Sequence, residues 1–161
     1  MKVSELKKLV KQEIKTKVQE AEPEITDVPV DTVPEEEPEN ESSSSAAFVS
    51  IILESATQAH IYHLQSDSYA QHMALCAYYN DIPAIIDALA ELLQGRYGII
   101  KGYSTPNPYA EDNNPVAYFE NLLKSVDAAR DTLPADSNIQ NSVDNVVDLI
   151  QSTLYKLTFL K

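Results

Sequence analysis

The stretch SYAQHMALCAYYNDIPAIIDALAELL, residues 68–93, decides the fold. Its Tyr69, Met73, Cys76, Ala77, Tyr79, Ile82, Ile85, Ile86, Leu89, Leu92 and Leu93 return at three- and four-residue steps, the period of a helix with one buried stripe. Ser68 stands where an N-cap belongs, and Gly95 and Gly98 follow the stripe as stop signals. Pro83 falls inside the pattern, where a proline removes one helical hydrogen bond and clashes with the preceding turn at ~3 kcal/mol. Either the helix bends there, or Asp81 caps a new one.

Outward from this stretch the same period recurs. Phe48, Ile51, Ile52, Ser55, Ala59 and Tyr62 place a helix from Ala46 to about Gln65. After a Pro-, Asn- and Tyr-rich loop from Lys101 to Asn114, Pro115 opens a third helix, whose face carries Val116, Phe119, Leu122, Leu123, Val126 and Ala129 until Pro134 ends it. A fourth, from Asp136 or Ser137 to about Leu160, aligns Ile139, Val143, Val146, Val147, Ile150, Leu154 and Leu157. No segment of this region alternates with the period of a strand. The expectation is an all-α, up-and-down four-helix bundle over residues 46–161.

Composition limits what such a bundle can do. The 161 residues hold 25 acidic and 12 basic side chains, a net charge of −13, which disfavours generic contact with nucleic acid or anionic membrane. With 3 glycines there is no Gly-rich phosphate loop, and the single cysteine excludes an intrachain disulfide and a thiolate zinc finger. No apolar run reaches the ~18 residues of a membrane span, and the lysine-rich start lacks the apolar stretch of a secretion signal, so a soluble intracellular protein is expected.

The charge is divided along the chain. Residues 1–18 carry six lysines and two glutamates, with Val3, Leu6, Val10, Ile14 and Val18 in a narrow stripe, the pattern of a basic amphipathic helix that docks on a partner or remains a solubilising arm. Residues 19–45 hold ten acidic side chains, no basic one, Pro23, Pro29, Pro34 and Pro38, and the run Ser42–Ser45, the composition of a disordered linker. Residues 46–161 are left with a net charge of −7.

His60, His63 and His72 fall within 13 residues, and Asp87 and Glu91 share one face of the second helix four residues apart. His72 and Asp87 are separated by 15 residues, ~22 Å along a continuous helix, so they cannot hold one ion within a chain. One site would need two chains meeting antiparallel, His60 and His72 of one facing Asp87 and Glu91 of the other. Mixed imidazole and carboxylate donors suit Fe(II) or another first-row divalent ion.

Gln58-Ala59-His60, His72, Asp87 and Ala90-Glu91 stand at intervals that resemble the Dps branch of the ferritin-like proteins. The resemblance covers about residues 45–100. It implies a ferritin-like bundle, a homo-oligomer built on a two-fold dimer, and iron (Fe2+) bound at the interface by His60, His72, Asp87 and Glu91, for oxidation or sequestration. It gives His63 and Cys76 a supporting place beside the ligands. The chain departs from the family at Cys76, where a ligating Asp is usual, and at Ile61, where Trp is usual; a metal site poorer in carboxylate should hold iron more weakly. The start Met1-Lys2-Val3-Ser4-Glu5-Leu6-Lys7-Lys8-Leu9-Val10 is similar to N-terminal helices on proteins of tailed bacteriophages. This implies a tether to a protein partner, in the host cytoplasm or on a virion, and an alternative in which the chain is a non-enzymatic structural or interaction protein. DNA binding is not expected, because the acidic linker behind the lysines opposes phosphate approach.

Overall fold

A computed structural model describes residues 39–104 and 113–160; the basic segment 1–18 and the linker as far as Pro38 lie outside the described residues. Four helices form: α1 Glu39–Gln65, α2 Tyr69–Tyr97, α3 Pro115–Arg130 and α4 Ser137–Phe159, with no strand among the described residues.

The local signals explain most of the boundaries. The Ser68 side chain accepts the Gln71 N–H and caps α2, while Gly98, at φ 90°, takes the left-handed conformation that ends it. Gly95 does not stop the helix, which continues to Tyr97. Asn114 Oδ1 accepts the Ala117 N–H at 3.1 Å, with Pro115 in the first turn of α3 as expected. That helix ends at Arg130, ahead of Pro134, because the backbone N–H groups of Thr132 and Leu133 turn back onto Ala129 and Arg130.

Two sequence expectations are corrected. The helix expected from Ala46 begins at Glu39, inside the segment read as linker, and Ser45 and Ala46 are buried. Serine carries only a modest helix penalty, and packing beside Leu93, Tyr97 and Pro134 outweighs it. Of the two alternatives at Pro83, the new helix capped by Asp81 is not formed: α2 runs without interruption from Tyr69 to Tyr97 with the proline inside it. Pro83 is exposed, so its ring lies on the solvent side.

The order of the helices around the core follows from their neighbours. α1 packs on α2, α2 on α4 and α4 on α3, while α1 meets α3 more lightly; the pairs α1/α4 and α2/α3 are diagonal. At one end of the bundle Ser42, Leu93, Tyr97 and Pro134 surround a small cavity, and Arg96 pairs with Asp136 at 2.6 Å. Near the other end the Tyr62 ring meets Tyr118, at the start of α3. The connection from Gly98 to Asn114 therefore leaves one end and arrives at the other, with Ser104 N donating to Ser50 Oγ on the way. α3 runs parallel to α2, and α4 parallel to α1. The simple up-and-down order expected from the sequence is replaced by up, down, down, up, with one long crossover.

The core is apolar along its length, with Ile52, Leu75, Ile82, Ile86, Leu89, Leu93, Ile139 and Ile150 almost fully enclosed. Each contributes ~1.5–3 kcal/mol by burial. At mid-bundle the Tyr78 ring meets Phe119 edge-on at 4.7 Å across the α2/α3 diagonal, and the Tyr78 hydroxyl hydrogen-bonds Ser55 at 2.7 Å. Ile51 and Met73, both placed on apolar stripes by the sequence, are exposed.

Two substitutions test this packing. Phe119→Ala should lower the unfolding free energy by about 3–5 kcal/mol in urea denaturation. Pro83→Ala should raise it by about 1–3 kcal/mol, since the helix regains an N–H and loses no buried contact; a decrease would show that the bundle depends on the proline ring.

Candidate functional site: a histidine clasp and a distant carboxylate pair

The three histidines gather where α1 turns into α2. His63, 8 % exposed, faces His72 across the turn with ring centroids 3.6 Å apart and planes inclined by 27°. The pairing is reciprocal: His63 Nδ1 lies 3.0 Å from the His72 carbonyl oxygen, and His72 Nδ1 lies 3.1 Å from that of His63. A carbonyl oxygen only accepts, so Nδ1 carries the hydrogen in each ring, and in the neutral form Nε2 is left with its lone pair. The clasp closes the short turn at residues 66–68, which Ser66 tightens by donating its hydroxyl to the Ser68 carbonyl.

Such a clasp does not make a two-histidine chelate. Imidazole lone pairs lie in the ring plane, and two rings stacked 3.6 Å apart hold theirs in separate, nearly parallel planes, so one ion at bonding distance cannot take both. A backbone carbonyl at Nδ1 is, however, the usual way a protein fixes the tautomer of a histidine that binds metal through Nε2. His63 and His72 are each oriented in that way. His60 is exposed and stacks on Tyr79 at 4.2 Å with 18° between the planes, and its ring is 5.7 Å from that of His63.

Tyr79 is the residue that the sequence reading did not single out. It lies seven residues after His72 and three after Cys76, on one face of α2, and touches His60, His63 and Cys76 together. Its hydroxyl is 3.6 Å from Cys76 Sγ, and this contact above all, with some desolvation, holds the phenol above its ordinary range. Asn80 donates to the Cys76 carbonyl at 2.7 Å and to the thiol at 3.5 Å. Cys76 is thus held by neighbours on its own helix.

Asp87 and Glu91 are elsewhere. Both are exposed on α2, and because that helix is continuous, Asp87 stands ~22 Å from His72 along it. Asp87 borders a groove between α1 and α2 formed by Val49, Leu53, Ile86, Ala90, Gln94 and Tyr103. Among the described residues, no three His, Cys, Asp or Glu side chains come together as a metal-binding group. The chain by itself therefore brings the histidines together and leaves the carboxylates apart.

A second polar region lies inside the bundle. Tyr62, Tyr118, Phe119 and Tyr78 form a continuous series of ring contacts, and desolvation pushes the Tyr78 and Tyr118 hydroxyls well above the usual phenol range. Glu54 is half-buried nearby, and burial raises its carboxyl from the ordinary 4.5.

Residues 63–157 match a family of unknown function, DUF5856. The chain belongs to this family. No curated protein and no solved structure matches it. The DUF5856 region starts at His63 and takes in α2, α3 and most of α4, so His63, His72, Cys76, Asp87 and Glu91 fall within it and His60 lies just before it.

Two measurements check these environments. His63→Phe and His72→Phe should each cost about 1–2 kcal/mol in unfolding free energy, and the double variant should approach their sum, because each ring donates to the other residue's backbone carbonyl, which neither substitution removes. For Glu54, a raised carboxyl favours the folded state only below the ordinary pKa, and that advantage is lost as pH rises through the folded value. Glu54→Gln should therefore be more stable than the parent at pH 7, with the difference closing as pH falls below about 4.5 in a series of thermal melts.

Proposed function

We propose that this protein is a Dps-like member of the ferritin-like superfamily that pairs through α1 and α2 and takes Fe(II) at the interface, with His60 and His72 from one subunit and Asp87 and Glu91 from its neighbour. The observation that carries the reading is the single long crossover between α2 and α3. It makes α1 parallel to α4 and α2 parallel to α3, the arrangement by which ferritin-like bundles differ from simple up-and-down ones. The unbroken α2 adds the distance constraint: His72 and Asp87 serve one ion only if a second chain approaches antiparallel.

The donors suit the ion. His72 presents a fixed Nε2, His60 is exposed, and two carboxylates on one exposed helix face supply hard oxygen ligands for Fe(II). In the oxidative version two Fe(II) each give up one electron, and hydrogen peroxide takes both with two protons to become two waters. The side chains position the iron and offset its charge. The assembly is a homo-oligomer of at least two chains, in the cytoplasm of a bacterial host or associated with a virion.

One observation favours a second reading. Cys76, at the position of an expected Asp, is engaged with Tyr79 and Asn80, so the site lacks that ligand. A non-enzymatic structural or interaction protein that keeps the bundle and docks through residues 1–18 is the alternative.

Fe(II) titration of the full chain, followed by native mass spectrometry, separates the two. Saturable binding by a dimer or larger species is expected, with His60→Ala and Asp87→Asn each weakening the same event at least about 10-fold. A monomer that binds no Fe(II) would sink the iron reading and leave the interaction protein.

A further inference from the structure

The charges of the bundle are not spread along its length. From Ser55 to Asn80, a stretch that includes the whole α1–α2 turn, Asp67 is the one Asp, Glu, Lys or Arg; from Leu149 to Leu160, at the end of α4, Lys156 is the one such residue; residues 113–119, at the start of α3, have none. The acidic side chains Asp81, Asp87, Glu91, Asp127, Asp131 and Asp144 lie toward the middle and the opposite end. Large apolar side chains stand in solvent at this charge-poor end, as Tyr97, Ile99 and Tyr103 do toward the other: Tyr69 is 79 % exposed, Met73 46 %, Tyr155 56 %, Phe159 69 % and Leu160 48 %. Tyr155 and Phe159 touch each other at 5.7 Å on α4, and Tyr69 and Met73 lie one turn apart on the adjacent helix α2.

We propose that this end of the bundle is a self-association surface whose occupant is a second copy of the chain, joined about a two-fold axis. A domain of net charge −7 repels its own copies over most of its surface, and only a face free of acidic clusters lets two approach. The two charges on the face have opposite signs, and neither Asp67 nor Lys156 meets an opposite charge among the described residues. In an isologous contact each residue of one copy faces its complement on the other, so Asp67 and Lys156 pair twice across the axis. Three aromatics and two aliphatic side chains at these exposures offer roughly 400–600 Å² per copy, the larger part of the ~800 Å² that a stable interface buries on each partner. Tyr69 and Met73 lie beside His72, but unlike the α1/α2 pairing of the iron reading this contact needs no metal.

Charge reversal gives a direct test, with sedimentation velocity of the metal-free full chain over a concentration series. Phe159→Glu should raise the dissociation constant at least about 10-fold, with an unchanged helical circular dichroism spectrum. Asp67→Lys alone and Lys156→Glu alone should each weaken association, since each leaves two like-charged pairs across the axis. An equimolar mixture of the two should associate as tightly as the parent, because a mixed pair restores both attractions. Asp127→Asn, on the exposed side of α3, should leave this association unchanged. A parent chain that is monomeric at about 100 µM, association indifferent to Phe159→Glu, or a mixture no tighter than its separate components would each overturn the proposal.

Discussion

The 29 uninterrupted residues of α2 constrain nearly everything else in this molecule. The helix packs on α1 on one side and on α4 on the other, and its buried residues Leu75, Tyr78, Ile82, Ile86, Leu89 and Leu93 run through the centre of the core. Because it passes through Pro83 without a break, it holds one end of the bundle rigidly at a fixed distance from the other. That rigidity places the histidine cluster at the end near the α1–α2 turn and keeps Asp87 and Glu91 well along the helix. A break at Pro83 would have allowed the second half to fold back and bring the two groups together. The geometry of a chain acting alone is thereby limited to a clasp, and any site using both groups belongs to two chains.

The clasp shows how a single set of side chains serves structure first. His72 donates to the His63 carbonyl at the C-terminal end of α1, where carbonyls lack a helical partner, and His63 donates in return to the His72 carbonyl in the first turn of α2, so the two bonds tie the end of one helix to the start of the next. The same hydrogen bonds set which ring nitrogen remains exposed to a ligand. Stability and ligand readiness are coupled, since a histidine with a free ring would be neither oriented nor committed to one tautomer.

The surface is organised by the same principle that governs the core. Acidic side chains concentrate along the middle and the far end, where Arg96 and Arg130 pair with Asp136 and Asp144 to fasten α4 to α2 and α3. The near end is poor in charge, and both ends carry exposed aromatic side chains, Tyr69, Tyr155 and Phe159 at the near end and Tyr97 and Tyr103 toward the far one.

Much of this was written in the order of residues. Hydrophobic periodicity placed four helices, and Ser68, Asn114 with Pro115, and Gly98 marked their ends, because caps and left-handed glycines act through neighbours within a turn. The 15-residue interval between His72 and Asp87 already separated them once the helix was continuous. The start of α1 was hidden, since a serine run reads as linker until its burial beside Leu93 and Pro134 is known. The sense of α3 was hidden too: a loop of given length states how far the chain can reach, and only packing against α1 and α4 states where it goes. Tyr79 looked like one more stripe residue, and its contact with two histidines and a thiol appears only when α1 lies against α2. Local chemistry thus determined the helices and the candidate ligands, whereas their order around the core, the clasp and the gathering of the charge-poor segments at one end were decided by long-range packing, which joins residues that the chain keeps far apart.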